Sequence, residues 1–180
     1  VLSIGPYPEE FIAYLAEFFG SRDYFECHEL MEALWKKEKG TGREGCWLVL
    51  VRIAVAQYHA RRGNGEGAYK LLAKAAAEVD PPRMNGIGLA GERLATMLRD
   101  KVAGWGSPAG VRYEDFELPI ADPSLLQAAR ELCAERGWKW GTPIGEVSAE
   151  IVHRHLRRDR SDVVAARKAA AESRAADRER

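Results

Sequence analysis

Phe11, Ile12, Leu15, Phe18 and Phe19 recur at helical spacing behind Pro8 and ahead of Gly20, so the chain opens with an amphipathic helix. Asp23 and Glu26 form a capping-box pattern for a second helix, which runs to about Lys39 before Gly40-Thr41-Gly42 breaks it. At about 100° per residue, Tyr24, Cys27, Leu30, Met31, Leu34 and Trp35 share one arc of that helix, with His28 on the rim beside Trp35. Glu32 lies one step further round, Glu29 beyond it, and Glu26 falls on the other side.

The third helix, 43–62, is apolar nearly all round: from Gly45 to Ala60 it holds no acid and one base, Arg52. Such an element belongs in the middle of a bundle. Arg52 and His59 share one of its faces with Leu48, Val55 and Ala56, and a buried guanidinium needs an acid, so Glu29 and Glu32 of the neighbouring helix are its expected partners. Gly63 and Asn64 supply a helix stop and an N-cap. A fourth helix then follows through Leu72 and Val79 until Pro81-Pro82 stops it, and the short turn makes it antiparallel to the third.

A fifth helix through Leu89, Leu94, Leu98 and Val102 ends at Gly104-Trp105-Gly106, and residues 111–120 alternate acids with aromatics as an extended segment would. Asp122-Pro123 starts a helix closed by Gly137, and Pro143 starts another carrying Ile144, Val147, Ile151, Val152 and Leu156. The expected fold is all-α: an irregular helical bundle around the apolar helix, with a C-terminal helical extension. Its expected divisions are a helical core over 1–104, an extension packing on it over 105–160, and a projecting or frayed helix over the Ala- and Arg-rich 161–180.

Composition narrows the function classes. In 180 residues, 46% hydrophobic and 30% charged, there is no run approaching the roughly 20 apolar residues of a membrane-spanning helix. The start VLSIGPYPEE lacks the basic and apolar regions of a signal peptide, and the three cysteines, Cys27, Cys46 and Cys133, are too far apart for a zinc knuckle or disulfide framework. A cytoplasmic location is the expectation. Net charge is zero, which speaks against nucleic acid, but residues 1–45 carry nine acids and five bases while 153–180 carry nine bases and five acids. A head-to-tail contact within or between chains, or a protein partner, would account for that asymmetry as well as two solvated faces do.

The second helix offers residues for three chemistries. His28-Glu29-x-x-Glu32 is one residue away from the H-E-x-x-H pattern, so His28 and Glu32, with His59 from the facing helix, are candidate ligands for a divalent metal and Glu29 a candidate base. The spacing Glu26-x-x-Glu29-x-x-Glu32 also suits a hard cation, but the third helix adds no carboxylate to it. Cys27 cannot use His28, because adjacent helical residues diverge, and His153 and His155 diverge likewise.

The ordered series Phe25-Glu26-x-His28-Glu29-x-x-Glu32-x-x-Trp35, Ala54-x-Ala56-x-x-His59, Gly63-Asn64 and Gly67-Ala68 resembles the domain-of-unknown-function family numbered 309, over about residues 18–80. The resemblance implies a small all-α irregular bundle of bacteria and archaea, and supplies no activity, substrate or cofactor. The family often has Gln where this chain has Arg52, and Gly where it has Val49. An arginine there keeps donor capacity and suits a polar network better than a cation site.

The first expectation is therefore a non-enzymatic structural or interaction module, without cofactor, in which His28, Glu29, Glu32, Arg52 and His59 form a buried polar network. The alternative is a metal-assisted hydrolase with His28, Glu32 and His59 as ligands.

Overall fold

The structure, a computed structural model, describes residues 7–143, 147–153 and 174. Helices α1 (Glu9–Ala16), α2 (Tyr24–Lys37), α3 (Glu44–Arg61) and α4 (Gly65–Glu78) form the N-terminal half. Helices α5 (Pro81–Gly86), α6 (Gly91–Trp105), α7 (Pro123–Glu135) and the single turn α8 (Ala149–Val152) follow. The fold is all-α, as its periodicity predicts.

Helix α3 is central: α2 packs along one side and α4 along another, and both Trp47 and Ile53 are shut off from solvent. A helix apolar all round can bury more than one face only in this position. Helix α2 buries Tyr24, Cys27, Met31 and Leu34, while Leu30 and Trp35 at the edges of the expected arc stay half-exposed. Aromatic rings tie the layers together, with Phe11 against Trp47 at 5.0 Å and Phe18 against Tyr24 at 5.1 Å between centroids. Phe116, Leu118 and Leu125, from the C-terminal half, lie in the same hydrophobic cluster as these residues.

The caps follow the expected chemistry. The Asp23 side chain accepts from the Glu26 amide, Asn64 from Gly67 and Asp122 from Ser124. Gly63, at φ 81°, takes the left-handed position that ends α3.

Two local expectations are corrected and a third is met. Pro81-Pro82 not only ends α4 but also begins α5, because proline fits a first turn and Asp80 accepts from the Arg83 amide. The 111–120 segment is extended as expected, and among the described residues it forms one antiparallel bridge, Leu89 to Ile120. Pro143 does not begin a helix: the described turn starts after Ser148, whose hydroxyl accepts from the Ile151 amide. Ile144, Leu156 and the projecting helix expected over 161–180, apart from Arg174, lie outside the described residues.

Helix α1 does not stop cleanly at Gly20. It widens into a π-helical turn, Glu17–Ser21, closed by the Arg22 amide on the Glu17 carbonyl at 2.8 Å. Such turns concentrate at functional sites, and this one delivers Arg22 into the protein.

Candidate functional site

On α2 the expected cluster exists as a surface row. His28 Nε2 lies 3.2 Å from Glu32 Oε2 and its Nδ1 3.4 Å from Glu29 Oε1, while Lys36 reaches Glu32 Oε1 at 3.0 Å. The His28 side chain is 29% exposed, Glu32 39% and Glu29 49%. The Lys36 hydrogen bond lowers the Glu32 pKa, with burial opposing it and His28 adding to it. A lysine on that carboxylate competes with a metal ion for the same oxygen.

Arg52 and His59 go elsewhere. Arg52 Nε meets Glu78 of α4 at 3.2 Å, and with its side chain 17% exposed it faces the α4 side instead of Glu29 or Glu32. His59 Nδ1 lies 3.2 Å from Asn64 Nδ2, and burial, then the Arg62 charge, lower its pKa. Aromatic rings lie between the two imidazoles, His28 to Phe25 at 6.1 Å, Phe25 to Tyr58 at 6.3 Å and Tyr58 to His59 at 5.8 Å. Among the described residues no group of three or more His, Cys, Asp or Glu side chains is placed to hold a metal ion.

The buried polar centre lies one turn earlier and was missed from the sequence. Arg22, with no solvent exposure, takes the left-handed conformation at φ 57°. Its Nη1 donates to the Phe18 carbonyl at 3.1 Å, its Nε to the Thr142 carbonyl at 3.0 Å and its Nη2 to Glu117 at 3.3 Å. Asp115 stands 3.8 Å away. A left-handed non-glycine residue costs about 1–2 kcal/mol, which these charge-assisted bonds offset by joining three separate segments.

Further polar groups surround Arg22. Tyr24 and Tyr113 share a hydroxyl contact at 2.8 Å, and Tyr113 donates to Asp115 at 2.8 Å. Burial, followed by Tyr24 and then Asp115, drives the Tyr113 pKa far above its ordinary value, so it remains a donor. Gln57, also fully buried, donates to the Glu114 carbonyl at 2.9 Å. Arg61 stacks over the Tyr24 ring at 4.6 Å.

The signal for this centre was present but indirect. Asp115 and Glu117 alternate with the buried Phe116 and Leu118, so a single extended stretch sends acids to Arg22 and apolar groups into the core. A second polar cluster flanks it: Glu17, 7% exposed, contacts the Ser21 hydroxyl and Arg136 Nη1 at 3.4 Å. Burial raises the Glu17 pKa from 4.5 to about 7, against the Ser21 bond and Arg136 and with help from Asp23 and Glu26.

Residues 11–71 match the family described as Domain of unknown function (DUF309). The chain is also similar to "Uncharacterized protein YpuF" of Bacillus subtilis (strain 168), at 33% identity over 175 residues, covering 96% of this chain and 99% of that one. The protein belongs to the DUF309 family. No solved structure matches it. No helix among the described residues is long and apolar enough to cross a membrane.

Proposed function

We propose that the protein is a non-enzymatic structural or interaction module whose polar side chains fix helix packing. The supporting observation is how Arg22 uses its hydrogen bonds: its nitrogens go to Phe18, Thr142 and Glu117 of the protein itself. His28, Glu29 and Glu32 clip successive turns of α2 together, Arg52 joins α3 to α4 through Glu78, and His59 braces the Asn64 turn. The module works in the cytoplasm and without a resident cofactor. The half-exposed His28 and Glu32 pair could offer one nitrogen and one oxygen to a divalent ion, which makes metal content the decisive measurement.

The test combines metal analysis of protein purified without an affinity tag with thermal melts of Arg22→Lys, Glu32→Ala and His59→Ala. The expected result is a metal content that the Glu32 and His59 substitutions leave unchanged, and a melting temperature lowered most by Arg22→Lys. Stoichiometric zinc, manganese or iron, lost in Glu32→Ala and His59→Ala while both melt normally, would overturn the proposal. A metal-assisted hydrolase with His28, Glu32 and His59 as ligands and Glu29 as base would replace it.

A further inference from the structure

Helix α3 carries no acid from Gly45 to Ala60, yet the bundle leaves one stripe of it open. Between Cys46 and Ala60, Leu48, Val51, Arg52, Val55 and His59 are half-buried and every other residue is buried. At about 100° per residue these five fall on a single side of the helix, with Leu48 and Val55 at its middle. Helices α2 and α4 border the stripe. Phe25, His28, Glu32 and Trp35 of α2 are half-buried beside it, and so is Leu71 of α4 on the far side. The three helices therefore present one face with half-exposed apolar groups along its middle and charges at both edges.

The charges of the two edges match each other, but α3 separates them within one chain. Helix α2 starts beside the C-terminal end of α3, where Phe25 packs on Tyr58 at 6.3 Å between centroids, and ends beside its start, where Arg43 meets Glu38 at 2.6 Å. Helix α4 starts at the same end: a Cβ at Gly67 would lie 3.0 Å from the His59 ring, and Glu78, further along, reaches Arg52 at 3.2 Å. The two edge helices therefore run the same way. Counted from Phe25 on one and Gly67 on the other, Glu32 and Lys74 are both seven residues along, and Lys36 and Glu78 are both eleven. Such steps return to the same side of a helix, about 10 and about 16 Å further on. Glu29 and Lys70, four and three residues along, add another acid and base. From the same end, α2 presents acid then base, and α4 presents base then acid.

We infer that this α2–α3–α4 face is the interface between two copies of the chain, related by a two-fold axis along α3 that sets Glu32 opposite Lys74 of the second copy and Lys36 opposite its Glu78. Rotation about that axis keeps each level along α3 and exchanges the two edges, so α2 of each copy lies over α4 of the other. Leu48 and Val55, at the middle of the stripe, then meet their own counterparts and leave water. Glu32 and Lys36, which pair within α2 at 3.0 Å, and Glu78, which pairs with Arg52, each gain a further partner of opposite sign. The contact names a partner for the interaction module proposed above and rests on that reading. Oligomeric state and metal content are separate measurements, so either can fail without the other.

Sedimentation equilibrium of the full chain tests the interface, and a concentration-dependent dimer is the expected result. Glu32→Lys and Lys74→Glu, each alone, put like charges opposite each other twice per dimer and should raise the dissociation constant at least about tenfold. Mixed in equal amounts, the two variants should form a heterodimer in which both pairs are again opposite in sign, with a dissociation constant within about threefold of the unaltered protein's. Lys36→Glu and Glu78→Lys should repeat the pattern at the other end of the face. Circular dichroism of the four variants should match the unaltered protein, because the four side chains lie at the surface. A monomer at every concentration, which leaves the face to the rest of the chain or to another protein, would overturn the inference. So would a dimer that all four reversals leave unchanged, which places the contact on another surface, or weakened variants that mixing does not restore, which excludes this axis.

Discussion

Arg61 Nη1 donates to the backbone carbonyl of Arg22 at 2.8 Å. One arginine thus holds the main chain of another at its left-handed turn, while the second sends its own guanidinium to Phe18, Thr142 and Glu117. Burial lowers the Arg61 pKa, opposed by Tyr24 and Tyr113, and its Nε and Nη2 are buried without a hydrogen-bond partner among the described residues. The ring faces of Tyr24 and Tyr113 cover them instead. Helix α3, the π-helical turn and the 113–117 stretch meet at this pair.

Removing the Arg22 side chain leaves the Phe18 and Thr142 carbonyls without this donor, while the exposed Glu117 carboxylate turns to water, so Arg22→Ala is expected to destabilise the protein by about 1–3 kcal/mol. Arg22→Gly loses the same bonds but relieves the left-handed backbone, and should recover about 1 kcal/mol of that loss. Urea unfolding of both variants checks the pair. Equal stabilities, or a more stable alanine variant, would contradict the assignment of strain to this residue.

Glu17 makes stability depend on pH with a predictable sign. Its carboxyl titrates near 4.5 unfolded and about 7 folded, so between those values the native state holds more protons and unfolding becomes easier as pH rises. The stabilisation is complete below pH 4.5 and disappears through pH 7, to a total of about 3 kcal/mol. Glu17→Gln should remove this slope. Denaturant midpoints of the two proteins at pH 4.5 to 8, taken as a difference, cancel His59, whose lowered pKa acts in the opposite direction.

How much of this was legible follows from what periodicity encodes. Spacing alone identifies α3 as the central element, and the acids and amides at Asp23, Asn64 and Asp122 mark three helix starts. The α2 row was legible too, because His28, Glu29 and Glu32 are neighbours on one helix. Proximity in sequence points Arg52 toward Glu29 and Glu32 of α2, whereas its side of α3 faces Glu78. The Arg22 centre joins residues about 95 and 120 positions apart, and no local pattern reports such a contact. Pro143 looked like a helix start only because proline suits one; the cap that the turn uses is Ser148.

The His28 row is a surface device, and its removal should matter little. His28→Ala is expected to lower stability by less than about 1 kcal/mol, since each ion pair is partly exposed and confined to one helix. Glu32→Ala removes contacts to both His28 and Lys36 and should stay within a similar range. Thermal melts at low and high salt test this, with the small effects shrinking as salt rises. A loss of several kcal/mol from His28→Ala would show that the row is coupled to the core.

Two glycines near the α5 to α6 turn should respond with opposite signs. At Gly91, the first residue of α6, a Cβ would stand 2.0 Å from the Pro81 carbonyl oxygen, and backbone cannot move away as a side chain would. The Gly91 amide also donates to Asn85 Oδ1 at 2.8 Å, which fixes the approach of the two helices. Gly91→Ala should therefore cost about 1–3 kcal/mol through overpacking. At Gly86, the last residue of α5, a Cβ would meet nothing within 4 Å, and Gly86→Ala should be neutral or stabilise by up to about 1 kcal/mol by restricting the unfolded chain. Equilibrium unfolding of the two variants under one set of conditions decides it: if both alanines have the same effect, the close approach of Pro81 to Gly91 does not govern how α5 and α6 pack.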